Sequence, residues 1–165
     1  MSKPRKLLII SASSKMTRQT ESPIPAIERY DGLLVRVVKK ALKEKDHGDI
    51  EVLLLSPVLG LVEAKDEIPY HEPLPGCWKK PNLTEKEINS IREKNTAKLQ
   101  FLLKSRQYAE IYINVGKVLR QLLDLRLFSG SKIIFAEGPG PGPKAAHMKS
   151  WIQRKVTPTK GRNTP

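Results

Sequence analysis

The chain has 165 residues, enough for one domain with its own core and no need of disulfide or metal staples. Hydrophobic residues at 39% with charged residues at 28% exclude wholesale disorder, and the single cysteine, Cys77, excludes an internal disulfide and a Cys-rich zinc site. A formal net charge of +13 favours an anionic partner, nucleic acid first, with solubility as the plainer reason for such a surplus.

The basic start, with Lys3, Arg5 and Lys6, leads into an apolar run too short for a signal-peptide core, and no later run is long enough to span a bilayer. The expectation is a cytoplasmic protein with no membrane partner. Residues 6–11 (KLLIIS) are short and apolar, bounded by charge and then by small polar residues, and read as a buried strand. Residues 26–45 carry apolar side chains at Ile27, Tyr30, Leu33, Leu34, Val37, Val38, Ala41 and Leu42, one face of a helix with lysines along the other. Tyr30-Asp31-Gly32 places two poor helix formers within that pattern; Tyr30 reads as core, and Asp31 as a residue that orients Tyr30 or a ligand.

A second buried strand follows at 50–56 (IEVLLLS), then a Pro- and Gly-containing stretch, 57–82, with no sustained period and room for a short helix. Thr84 and Glu87 form a capping box before a helix marked by Ile88, Ile91, Leu99 and Leu102. Residues 110–114 (EIYIN) make a third strand, 117–127 a helix, and 131–136 (SKIIFA) a fourth strand. After Gly138-Pro139-Gly140-Pro141-Gly142-Pro143, a stiff connector, a short helix is expected over 144–155. Residues 156–165 read as a polar, disordered tail. Alternating strands and helices predict a single α/β domain over 1–155, Rossmann-like, with a mostly parallel sheet of about four strands covered by helices.

In such sheets ligands bind beyond the carboxyl ends of the strands. Ser11, Ser13 and Lys15 follow the first strand, and hydroxyls and an amine there suit a phosphate or a base edge. The missing Gly-x-x-x-x-Gly-Lys spacing excludes a Walker loop. Ser56 and Gly60 follow the second strand, with Gly60 supplying a turn. Asn114 and Gly116 follow the third, offering an amide for a base edge beside an exposed backbone.

Asp66, Glu67, Tyr70, His71 and Glu72 gather acid/base groups within a few residues, where His71 reads as an exposed loop histidine and Tyr70 as the catalytic candidate with Lys15. Trp78 beside Lys79 and Lys80 resembles a stacking residue in a basic setting. Arg5, Arg18, Lys79, Lys80, Lys117, Lys144 and Lys149 form the expected nucleic-acid contacts. With three histidines and no helical pair of them, neither a metal nor a cofactor is expected.

The succession Ile9-Ile10-Ser11-Ala12-Ser13-Ser14-Lys15, then Leu55-Ser56-Pro57-Val58-Leu59-Gly60-Leu61-Val62, then Glu67-Ile68-Pro69-Tyr70, then Pro75-Gly76-Cys77-Trp78, resembles the domain of archaeosine synthase that follows its transglycosylase-like part. A more distant likeness is to the YaaA family of peroxide-stress proteins. The first resemblance spans most of residues 6–125 and implies a pocket for a 7-deazaguanine-type base in tRNA, with transfer of an amine to the base nitrile. Of that family's loop signature only Lys15 is matched: Ile10 and Ser11 stand at its Pro and Cys, Met16 and Thr17 at Pro-Tyr, Thr20 at Ser, and Pro23 at His. Two alternatives stand beside it: a non-catalytic DNA- or RNA-binding protein of YaaA-like fold, and an accessory subunit that docks on a separate tRNA-modification enzyme.

Overall fold

The computed structural model describes residues 5–13, 15–17, 22–44, 49–71 and 83–154. Strand β1 (Arg5–Ser11) is flanked by β3 (Ile50–Ser56) and β6 (Tyr108–Asn114), both parallel to it. Outside these lie β4 (Gly60–Glu63), antiparallel to β3, and β7 (Lys132–Phe135), parallel to β6, so the order is β4-β3-β1-β6-β7. A strand covered on both faces needs apolar side chains at nearly every position, which is why β1 and β3 are runs rather than alternations.

The alternation survives in the two cores. Leu8, Ile10, Leu54 and Tyr112 pack against Val35 and Val38 of α2 (Leu33–Glu44) and against Met148 and Trp151 of α5 (Pro141–Gln153). Leu7, Ile9, Leu53, Leu55 and Ile111 face the other way, onto Leu99 and Leu102 of α3 (Glu85–Ser105) and onto Leu119 and Phe128. Each such fully buried Leu or Ile contributes about 1.5–3 kcal/mol. The Thr84–Glu87 capping box is formed, with both reciprocal bonds present.

The α/β architecture with a mostly parallel sheet is as expected; several boundaries differ. The expected 26–45 helix is two helices, α1 (Ala26–Arg29) and α2, because Tyr30 is extended and bridges Met16 of the first loop. Residues 57–71 hold no helix. They form β4 after a turn in which the Ser56 hydroxyl accepts from the Val58 and Leu59 amides, each at 3.0 Å, and then β5 (Glu67–Ile68), which pairs with β2 (Ile24–Pro25). The expected 117–127 helix stops at Arg120 (α4, Lys117–Arg120), and a 3-10 turn (Leu125–Phe128) begins where the Asp124 carboxylate accepts from the Arg126 amide. Helix α5 starts at Pro141 rather than 144, since prolines are tolerated in a first helical turn. The expected tail at 156–165 lies outside the described residues.

Candidate functional site

From β1 the chain moves to β3 on one side, then crosses back over β1 to β6 on the other, with α2 and α3 on opposite faces. The reversal makes the carboxyl ends of β1 and β6 a topological switch point, where open parallel sheets form a ligand crevice. Ile10 is in register with Asn114, so Ser11 and Asn114 end neighbouring strands at that point. Asn114 is only 7% exposed. Its amide nitrogen faces the Met148 sulfur at 3.7 Å, a weak acceptor, and its oxygen has no partner among the described residues. A Cβ at Gly116 would meet nothing within 4 Å, so the backbone after β6 is open, and Lys117 is exposed beside it.

The loop after β1 is pinned from below. Ser13 Oγ donates to the Lys15 carbonyl at 2.7 Å, and the Asp31 amide donates to the same carbonyl at 2.9 Å. Gly32 is obligatory for this approach, since a Cβ there would lie 2.4 Å from the Ser13 Cβ. Arg29, fully buried, donates to the carbonyls of Thr17 and Ser22, each at 2.7 Å, which compensates its desolvation and ties the loop to α1. The Lys15 side chain stands exposed at the rim. Asp31 orients neither Tyr30 nor the crevice: it makes a paired bond with Arg36, at 2.9 and 3.1 Å, which holds its carboxyl below the usual range.

On the β3 side Tyr30, Ser56 and His71 form a cluster. Tyr30 is 1% exposed and shares a 2.8 Å hydrogen bond with His71 Nε2. Burial pushes the phenol pKa up, partly offset by hydrogen bonding with the Ser56 hydroxyl. His71 is therefore half-buried and engaged, not the exposed loop histidine expected from its neighbours. Tyr70, next to it, is half-buried. A second pair, Tyr112 Oη and His147 Nδ1 at 2.6 Å, lies on the same face between β6 and α5; burial and the Glu137 carboxylate both push the Tyr112 phenol up.

Gly60 has a turn function, at φ 77° and with any Cβ 2.6 Å from Asn95 Oδ1. Of the expected nucleic-acid contacts, Arg5 lies at the amino end of β1, away from the crevice, and pairs with Glu51 at 2.6 Å. Its neighbour Lys6 is also committed there, buried with its amine 5.5 Å from the Trp151 ring centroid. Lys117 and Lys144 sit at the carboxyl end, and Lys149 further along α5. Arg18, Trp78, Lys79 and Lys80 lie outside the described residues.

No family model matches the chain, and no curated protein matches it. Among solved structures it is similar to the crystal structure of AF0587, a protein of unknown function, at 11% identity and a TM-score of 0.52 over 92% of this chain. The chain spans 46% of that protein's length. The likeness to AF0587 is one of fold. Among the described residues no helix is long and apolar enough to cross a membrane.

Sequence reasoning missed Arg29, whose place in a helical pattern gives no sign of burial, and Arg120. The Arg120 guanidinium lies 4.6 Å from the Phe135 ring centroid and donates to the Val115 carbonyl at 3.1 Å, while its Nε is buried without a partner among the described residues.

Proposed function

We propose that the chain binds RNA through a nucleobase pocket at the β1/β6 switch point, as an archaeosine-synthase-like domain that serves tRNA modification. The observation that carries this reading is Asn114: a nearly buried amide, ending a strand where ligands enter such sheets, with only a sulfur for a partner. The amide oxygen, without a protein partner among the described residues, is left to solvent at the strand end, and a base edge offers it a donor while offering the amide nitrogen a stronger acceptor than sulfur. Ser11 and the open backbone at Gly116 border the same crevice, and Lys15 at its rim is the matched residue of the family's loop signature. The resemblance implies that a donor amine adds across the base nitrile to give an amidine, a step in which nothing leaves the base; holding the reacting groups is assigned to Lys15, with Tyr70 as the second catalytic candidate.

The test measures binding of a tRNA carrying a nitrile-bearing deazaguanine, and amine transfer to it, for wild type, Lys15→Ala and Asn114→Ala. Asn114→Ala is expected to weaken base-dependent binding by about 1–3 kcal/mol. Unchanged binding removes the pocket from Asn114, and unchanged transfer in Lys15→Ala removes the role of Lys15. A second reading, binding of DNA or RNA without catalysis, is favoured by Ser11 standing where the family signature has its thiol. It predicts binding by the wild type with no transfer at all.

A further inference from the structure

We propose that the outer face of α2 is the track along which an RNA strand's phosphate backbone enters the crevice, an inference that rests on the RNA-binding reading above. Arg36, Lys39, Lys40 and Lys43 follow at helical spacing and, with Glu44, line one open surface groove of about 390 Å³. Between Leu33 and Lys43 this helix has no acidic residue. By contrast, α3 intersperses Glu85, Glu87 and Glu93 among its lysines and arginines, as an ordinary solvated face does.

Partners divide the stripe. Arg36 is held by Asp31 and Lys39 by Glu28 at 2.7 Å, whereas Lys40 and Lys43 are exposed with no carboxylate partner among the described residues. The stripe continues toward the switch point: Asp31, whose backbone amide holds the Lys15 carbonyl, feels the charges of Arg36, Lys15 and Lys39 together. The basic residues of α2 thus run from the exposed pair Lys40 and Lys43, through the ion-paired Lys39 and Arg36, to Asp31, whose amide is bonded to the Lys15 carbonyl. The apolar face of α2 is buried in the core at Val35, Val38 and Ala41, and only Leu33, at the start of the helix, is an exposed large apolar side chain, too little for an amphipathic face that inserts into a bilayer. A flexible polyanion drawn toward the crevice fits these features; an anchored lipid surface does not.

The experiment titrates salt against binding of a short oligouridine by the full chain, comparing wild type, Lys40→Gln/Lys43→Gln and, as a control on α3, Lys86→Gln. On a single strand each phosphate contact removed lowers the salt slope by about 0.7, so the double variant is expected to lose about 1.4 units of slope and at least tenfold in affinity. Its far-UV circular dichroism and thermal midpoint should match wild type, and Lys86→Gln should bind as wild type does. Oligouridine binding with an unchanged slope in the double variant overturns the track while the RNA-binding reading stands. Failure of the wild type to bind RNA, or binding only to phosphatidylserine vesicles, overturns both.

Discussion

The Tyr30 phenol and the His71 imidazole meet at 2.8 Å, joining the end of α1 to the chain that leaves β5, across 41 residues of sequence. Tyr30 is almost wholly buried, with Ser56 beside its hydroxyl. Replacing Tyr30 by Phe keeps the ring and removes the bond to His71. The expected loss is about 1 kcal/mol of unfolding free energy. Urea denaturation at neutral pH measures it, and a loss below a few tenths of a kcal/mol would mean that the bond contributes nothing net.

Gly32 and Ser13 make a steric prediction that can be reversed. Gly32→Ala brings its Cβ onto the Ser13 Cβ, forcing the loop and α2 apart at a cost of about 1–3 kcal/mol. Ser13→Gly removes the obstructing carbon and should restore most of that stability in the double variant. If the second change gives no recovery, the contact is not what makes glycine necessary.

Asn95, 1% exposed, holds two segments at once: it accepts from the Leu61 amide and donates to the Leu122 carbonyl, each at 2.8 Å. Asn95→Ala leaves a buried donor and a buried acceptor unpaired, and about 2–4 kcal/mol should be lost. Hydrogen exchange at the Leu61 amide should accelerate with it. Protection equal to wild type would show that another group covers the β4 edge.

The Glu51 cluster contributes to stability at both pH limits. Burial pushes the Glu51 carboxyl up, but hydrogen bonds from Tyr108, Arg5 and Arg106 outweigh this and hold it below its ordinary 4.5. Its contribution is thus present above pH 4.5 and lost as pH falls through the lowered value. Tyr108 is pushed up to about 12, by burial first and by Glu51 second. Its contribution is present below pH 10 and lost between pH 10 and about 12. Glu51→Gln should cost about 2 kcal/mol at pH 7 and flatten the acid limb, and Tyr108→Phe should flatten the alkaline one. Thermal midpoints across pH 3–12 measure both, and limbs with unchanged slopes would assign these losses to other groups.

The parallel strands were legible because burial on both faces leaves an uninterrupted apolar run, as in Leu7–Ile10, and α3 because its cap is written in two residues, Thr84 and Glu87. The hairpin strand β4 was hidden: four residues after a turn carry too little pattern to distinguish them from a loop. The break between α1 and α2 was masked because Tyr30 sits in helical phase while a contact with Met16, remote along the chain, holds it extended. For the candidate site, the strand-end rule located Ser11, Ser56 and Asn114. What it does not supply is partnership, because the pairs Tyr30–His71 and Tyr112–His147 join residues that only the completed fold makes neighbours.

Strand β1 runs from Arg5, bound to Glu51, to Ser11 at the crevice, a span of about 20 Å. Salt at physiological strength attenuates fields between exposed charges over about 8 Å. Through solvent the Arg5–Glu51 pair is therefore only weakly felt at the carboxyl end. Ionic cross-links at the amino end can be strengthened or discarded with little change in the potential around Ser11 and Lys15, so durability and surface potential are adjustable separately.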